Sequence, residues 1–263
     1  MDIVICIKEV PETTNVPWDP KKGTLIREGI PGILNPNDKN AIEAALQLKE
    51  KYGGVVTAIS MGPAQTDDAL REALSLGVDN AVLLTDRHLA GADTLATSYT
   101  LYLAVKKIGR FDLILCGKES ADGMTAQVGP QLAEFLDIPQ LTYATNIEII
   151  KGNFVRIKQK LEDVYRELES PLPALITVER EINNPRIPPM DHIMEAYRDK
   201  QVLVWTADDL GGQMARFGLK GSPTQCLKVY TQRIKKGKVQ ILEGDGHTVA
   251  KELVQILRKR NLT

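Results

Sequence analysis

The sequence predicts an α/β protein: a mostly parallel, doubly wound sheet with helices on both faces, plus a β-hairpin extension and a C-terminal arm and helix. Three observations predict it. Short apolar runs rich in β-branched residues alternate with helical patterns through the first half of the chain. Those runs are continuously apolar, as strands covered on both faces must be. From about residue 142 the pattern changes to one of alternating polar and apolar residues, the mark of antiparallel pairing.

The elements follow in order. Ile3-Val4-Ile5-Cys6-Ile7 reads as a buried strand, and a polar loop punctuated by Pro and Gly runs from Pro11 to about Pro36. The next helix carries Ala41, Ala45 and Leu48 on one face, with Ile42 and Leu46 beside them. Val55 to Ser60 is a second strand that runs into Gly62-Pro63. The helix after it turns Leu70, Ala73 and Leu74 inward and stops at Gly77. Ala81 to Leu84 is a third strand, followed by a helix from about Thr94 to Ile108. Phe111 to Cys116 is a fourth, followed by a helix from about Ala126 to Leu136. Strand–helix units at this spacing build a parallel sheet, whose ligands bind at the carboxyl ends of the strands. The loops after residues 7, 60, 84 and 116 are therefore the places to look.

Beyond residue 142, Val155–Lys158 and Val164-Tyr165 read as a hairpin and Ala174–Val178 as a further strand. Asn183-Asn184-Pro185-Arg186-Ile187-Pro188-Pro189 must be an exposed loop. A short helix, a polar and Gly-containing tail over about 205–245, and a last helix bearing Val249, Leu253, Ile256 and Leu257 complete the chain. The expected division is an α/β domain over 1–204, which includes the exposed loop at about 182–197, and a partner-wrapping arm and helix over 205–263.

Composition narrows the function. The 263 residues hold Lys+Arg 33 against Asp+Glu 34, a net charge of -1 that argues against nucleic acid as main partner. Cys6, Cys116 and Cys226 are far apart and read as free thiols of a reducing compartment. No stretch is apolar and long enough to span a bilayer and no leader pattern opens the chain, so a soluble, cytoplasmic protein is expected. His88, His192 and His247 are scattered, which gives a metal site or a Ser/His/Asp relay little support. The segment that carries chemistry is Gly117-Lys118-Glu119-Ser120-Ala121-Asp122-Gly123-Met124-Thr125-Ala126-Gln127-Val128-Gly129-Pro130. Asp122-Gly123 makes a tight turn and Thr125 is placed to cap the helix. The amides of Ala126, Gln127 and Val128 then present an anion site suited to phosphate. An ordinary capped strand–helix loop accounts for the same residues equally well.

Val4-Ile5-Cys6-Ile7-Lys8, Asn35-Pro36, Ser60-Met61-Gly62-Pro63-Ala64-Gln65, the Gly117–Pro130 loop, Phe135-Leu136-Asp137-Ile138-Pro139-Gln140 and Asn184-Pro185-Arg186 together resemble the β-subunit of electron-transfer flavoproteins. The resemblance spans nearly the whole chain and is weakest beyond about residue 205. It implies a fold related to adenine-nucleotide hydrolases and a heterodimer with a flavin-carrying α-subunit. By similarity, Cys6, Ile7, Asn35 to Asp38, Met61, and Gly117 to Val128 (Gly117, Asp122, Gly123, Thr125, Ala126, Gln127 and Val128 among them) line an adenine-nucleotide site.

Thr85 to Ser98 resembles the matching segment of electron-bifurcating members, which hold a second FAD where the mitochondrial type holds AMP. Asp93, Thr94 and Thr97 would offer a carboxylate and two hydroxyls near one end of a helix, although Asp93 also reads as a plain N-cap. The bifurcating reading implies that NADH reduces the FAD of this subunit. One electron would then pass through the α-subunit to a partner dehydrogenase, the other to ferredoxin or flavodoxin. The flavin does the chemistry and no side chain of this chain acts as acid or base. The segment after Asn184-Pro185-Arg186 is similar to one that inserts an apolar anchor into a flavin-dependent dehydrogenase of acyl-CoA or 2-hydroxy-acid type. Here the anchor would be Met190, with Ile187 and Ile193 beside it. A non-bifurcating carrier with structural AMP and a non-redox nucleotide-binding regulator stand as the alternatives.

Overall fold

A computed structural model describes residues 1–12, 31–150, 153–224 and 239–262, with backbone alone for 18–19 and 24–25. Strand β1 (Ile3–Cys6) is followed by the short strands β2 (Glu9–Pro11), β3 (Trp18–Asp19), β4 (Thr24–Leu25) and β5 (Gly32–Leu34), which pair antiparallel as β2–β5 and β3–β4. Helix α1 (Pro36–Tyr52) opens on proline at its first position, where the missing N–H costs nothing, and ends at Gly53. Next come β6 (Val56–Met61), α2 (Asp67–Leu76), β7 (Asn80–Leu84), α3 (Thr94–Ile108), β8 (Leu113–Gly117) and α4 (Val128–Leu136). Gly77 ends α2 in the left-handed conformation that a glycine adopts freely. The chain continues through β9 (Gln140–Ile150), β10 (Phe154–Lys160), β11 (Tyr165–Pro171), β12 (Ala174–Val178), α5 (Met190–Arg198), β13 (Val202–Trp205) and α6 (Ala207–Leu210).

Nine strands form one sheet in the order β11-β10-β9-β12-β8-β1-β6-β7-β13. From β9 to β13 every pairing is parallel; β10 pairs antiparallel with both β9 and β11. The expected doubly wound α/β fold is what forms. Alternation along β1 sorts the core into two layers. Ile3 and Ile5 face α1 and α2 with Ala45, Leu70 and Leu74, whereas Val4 and Cys6 face α3 and α4 with Leu101, Ala104 and Leu132. All of these are essentially buried, each large aliphatic chain contributing about 1.5–3 kcal/mol relative to exposure.

The structure departs from the sequence reading or adds to it in four places. The hairpin is the outer part of a three-stranded meander on the long β9, which the pattern hides because Tyr143 breaks the alternation with a φ of 58°. Strand β12 does not extend that meander but inserts between β8 and β9. Helix α4 starts at Val128 rather than Ala126, because Ala126 has a φ of 54° and cannot be helical. The compact α/β unit runs from Met1 to Leu227, past the boundary read at 204. Its later part is held by β13, which caps the sheet beside β7, and by Phe217, 1% exposed with its ring 5.5 Å from that of Tyr99, over which the Arg216 guanidinium lies at 3.9 Å.

The second unit spans 228–263. Its helix α7 (Gly246–Lys259) is capped by Asp245, which accepts from the amides of His247 and Thr248, both at 3.0 Å, and it leaves Leu253 and Val254 exposed. Cys226 and the basic run Lys235–Lys238 lie outside the described residues. Among the described residues, no helix is long and apolar enough to cross a membrane, and no group of three or more His, Cys, Asp or Glu could hold a metal ion.

Candidate nucleotide site

The carboxyl ends of β1, β6 and β8 meet the amino end of α1, and most of the expected residues gather there. Cys6 and Cys116 sit opposite each other across the β1–β8 pairing, both buried and both free. A hydrogen bond to Cys116 and then burial push the Cys6 thiol well above its ordinary range, so it is a neutral, apolar element of the floor. Asp38, at the start of α1, accepts from the Lys8 amide at 2.8 Å. Burial pushes its carboxyl up to about 7 against the opposing hydrogen bonds from Asn35, Lys8 and Gly117. Gly117 is glycine for a steric reason. A Cβ there would lie 2.3 Å from Asp38 Oδ1 and 2.7 Å from the Asn37 carbonyl carbon.

The loop from Gly117 to Gln127 is tied down at both ends. Asn35 Nδ2 donates to the Glu119 carbonyl at 3.0 Å, and the Ala121 amide donates back to Asn35 Oδ1 at 3.1 Å. Lys8 Nζ binds both oxygens of Asp122, at 2.6 and 2.8 Å, which stitches the loop after β1 to the loop after β8. The Met124 amide closes the expected turn onto the Ser120 carbonyl at 2.9 Å. Thr125 does not cap α4. The N-cap is Gln127, which makes no capping hydrogen bond through its side chain but accepts from Thr94 Oγ1 at 3.1 Å. Met124 and Ala126 are left-handed, and Gln127 returns to the right-handed region. Such alternation turns successive amides toward one side, as in anion-binding backbone nests. Two non-glycine left-handed residues so close together are strain of the kind that collects at binding loops.

Asp93, Thr94 and Thr97 are divided in role. Asp93 caps α3 by accepting from the Ala96 amide at 3.0 Å. Its other oxygen accepts from Thr224 Oγ1 at 2.8 Å and from the Thr224 amide at 3.2 Å, and its own amide donates to Ser222 Oγ at 2.8 Å. Burial alone would raise this carboxyl, but the Ala96 and Thr224 donors outweigh it and hold the group below its ordinary value. Thr97 enters through its backbone, donating to the Asp93 carbonyl at 3.0 Å, and Met61 packs half-buried against the α3–α4 core.

On the α1 side of the sheet, α5 presents Met190, Met194 and Tyr197, three exposed side chains in helical register, with Ile187 just before them at 89% exposure. Ile193, expected beside the anchor, is half-buried instead. The base of this segment is fixed by Arg186, whose guanidinium reaches Glu43 Oε2 at 2.7 Å, Glu43 Oε1 at 3.1 Å and Glu50 Oε1 at 2.6 Å. Glu43 and then Glu50 hold Arg186 above its usual range. Sequence reasoning did not single out Lys8, Arg180, Met194 or Tyr197, and it placed Asn37 in the nucleotide site without its tie to Arg180. Lys8, Met194 and Tyr197 lay inside segments that were read, while Arg180 carries no local signal.

The electron transfer flavoprotein domain pattern matches residues 22–210. The chain belongs to the electron transfer flavoprotein family. Its similarity is to the β-subunits: it is 48% identical over 261 residues to the electron transfer flavoprotein subunit beta of Clostridium acetobutylicum, covering 99% of each chain. It is 42% identical over 263 residues to the caffeyl-CoA reductase-Etf complex subunit CarD of Acetobacterium woodii, covering 100% of each. With Protein FixA of Azorhizobium caulinodans it shares 40% identity over 267 residues, 99% of this chain and 95% of that protein. Electron transfer as a flavoprotein β-subunit is thus the coarse function.

Proposed function

We propose that this β-subunit pairs with a flavin-carrying α-subunit and holds an FAD of its own at the carboxyl ends of β1, β6 and β8. The observation that carries the reading is the Gly117–Gln127 loop, whose left-handed Met124 and Ala126 and N-terminal α4 amides would form an anion nest beside a neutral floor. The donor set fits a dinucleotide. The amides of Ala126, Gln127 and Val128 would take phosphate, Cys6, Ile7 and Met61 would flank a ring, and Asn35 with Asp38 would supply polar edges. Asp122 and Gly123 shape the loop, and Thr94, joined to Gln127, marks the direction in which a longer ligand would extend. FAD bound there would take a hydride from NADH and pass its electrons on singly, one by way of the α-subunit to a flavin-dependent dehydrogenase and one to ferredoxin or flavodoxin. The chain's own work is to bind, orient and exclude water. A carboxyl at Asp38 that titrates near neutrality would keep charge away from the apolar floor below that pH. Ile187 and Met190, with Ile193 behind them, would dock the dehydrogenase, of acyl-CoA or 2-hydroxy-acid type. The arm from 228 onward would pack on the α-subunit.

One observation favours AMP instead: Asp93 already serves as N-cap and as the anchor of Thr224. Flavin and nucleotide stoichiometry in the purified heterodimer, by acid release and chromatography, separates the two. Two FAD and no AMP per heterodimer support the first; one FAD with one AMP overturns it.

A further inference from the structure

We propose that Asn37 is a positioning residue that mechanically couples the nucleotide loop to the dehydrogenase-docking segment, so that nucleotide occupancy is felt at residues 180–198. This rests on the assignment of those two regions made above, and it concerns the link between them. The link is a continuous polar ridge on α1. Asn37 Nδ2 donates to the Glu119 carbonyl at 2.8 Å, the same oxygen that Asn35 holds. Its Oδ1 accepts from Arg180 Nε at 2.6 Å. One helical turn on, Asn40 Nδ2 donates to the carbonyls of Arg180 at 3.0 Å and Asn183 at 2.9 Å, and Asn183 Nδ2 donates back to the Asn40 carbonyl at 3.0 Å. After another turn, Glu43 accepts from the Arg186 backbone amide at 3.2 Å as well as from its guanidinium. Asn37, Asn40 and Glu43 are three apart, so they stack along one face of the helix.

These three residues are 5–7% exposed, yet each spends its polar atoms on the segment that leads to Ile187 and Met190. A core helix rarely turns such a buried amide and carboxylate row inward unless every member is satisfied, and here they are. Asn37 is the junction. It is the only member of the row among the described bonds that touches the nucleotide loop, and its backbone lies within the space that a side chain at Gly117 would need. Movement of the Glu119 carbonyl on ligand binding therefore displaces the Asn37 carboxamide, and with it the Arg180 guanidinium.

The test is amide hydrogen exchange read by mass spectrometry on the heterodimer, with and without saturating FAD and, separately, AMP. In the wild type, nucleotide is expected to slow exchange in 117–128 and also in 180–198, by about fivefold or more in the latter, the lower range for coupled sites. Two variants cut the link on opposite sides. Asn37→Asp keeps the acceptor for Arg180 but loses the donor to Glu119. Arg180→Ala, at an exposed position that folding tolerates, loses the other arm. Both should remove the protection of 180–198, and Arg180→Ala, which makes no contact with the nucleotide loop, should keep that of 117–128, while Lys51→Ala, an exposed residue at the far end of the same helix, should change neither. Protection of 180–198 that is absent in the wild type, or that persists in both variants, overturns the coupling. If neither nucleotide protects 117–128, the nucleotide site itself fails and the coupling with it.

Discussion

Replacing Gly117 by alanine tests whether the site is built on a close approach of backbones. Its φ lies outside the left-handed region, so alanine meets no conformational penalty, and the loss of unfolded-chain freedom would by itself stabilise by about 0.4–1 kcal/mol. The steric term opposes this. The new Cβ would stand 2.3 Å from Asp38 Oδ1, 2.7 Å from the Asn37 carbonyl carbon and 2.8 Å from Asn37 Cβ. All three atoms belong to residues buried at the start of α1, and one is backbone, so none can swing aside. Overpacking of a filled site costs about 1–3 kcal/mol. The net loss is about 1–2 kcal/mol, or about 2–8 °C in Tm for a unit of this size. Thermal unfolding of the purified heterodimer, followed by far-UV circular dichroism, with nucleotide content measured on the same samples, reads both consequences. Gly117→Ala should melt lower and retain less nucleotide. Gly123→Ala is the control: the nearest atom to its Cβ is Ser120 Oγ at 3.3 Å, the tip of a small rotatable side chain. If Gly117→Ala melts with the wild type and keeps its nucleotide, α1 yields freely and the close packing argued here is wrong.

Four further outcomes follow from the same geometry. Asp38 has a folded value raised to about 7 from 3.8, so the stability it favours is full below pH 3.8, falls as pH rises and is lost above about 7. Tm of the wild type should decline from pH 5 to pH 8 more steeply than that of Asp38→Asn, whatever the variant's absolute stability, and parallel slopes would refute the assignment. Met190→Ala, at an exposed position, should leave Tm unchanged while raising the KM for the dehydrogenase about tenfold or more in steady-state electron transfer. Asp93→Ala removes a helix cap and the Thr224 anchor together and should cost about 1–2 kcal/mol in urea unfolding, with Asp93→Ser recovering the cap alone. Arg186→Lys cannot reproduce the fork onto Glu43 and Glu50. Faster proteolytic cleavage in 180–198 is the expected result, with unchanged cleavage as the disproof.

What the sequence revealed follows the range of the forces involved. Ile3 to Cys6 and Leu113 to Cys116 were legible because a strand covered on both faces must be apolar throughout, a local constraint. Gly77 and the Asp122-Gly123 turn were legible for the same reason: each is dictated by the backbone conformation at one position. Strand β9 was not, since the left-handed Tyr143 interrupts the alternation that announces a strand. Neither was the insertion of β12, because nothing in Ala174–Val178 says which apolar strand it will lie beside. The N-terminal boundary of α4 was misplaced for want of any signal that Ala126 would turn left-handed. Arg180 and Asn37 meet across 143 positions through polar atoms, and propensity and periodicity do not report such a contact. The apolar stripe of α5 was half visible. Met190 stood out, while Met194 and Tyr197 become part of the same face only once the helix is known to start at residue 190.

The place of β12 has a consequence for how the chain is made. On the ribosome, β8 can add to β1 as soon as it emerges, but its other edge is owed to β12, which is synthesised only after the whole β9–β10–β11 meander. Until then Leu113, Ile114 and Leu115 form an open edge with unpaired amides, the kind of surface on which nascent chains pair with one another. A message truncated before codon 174 would leave that edge open permanently. Such fragments should be found in inclusion bodies or bound to chaperones, whereas fragments ending just beyond Val178 have the means to close it.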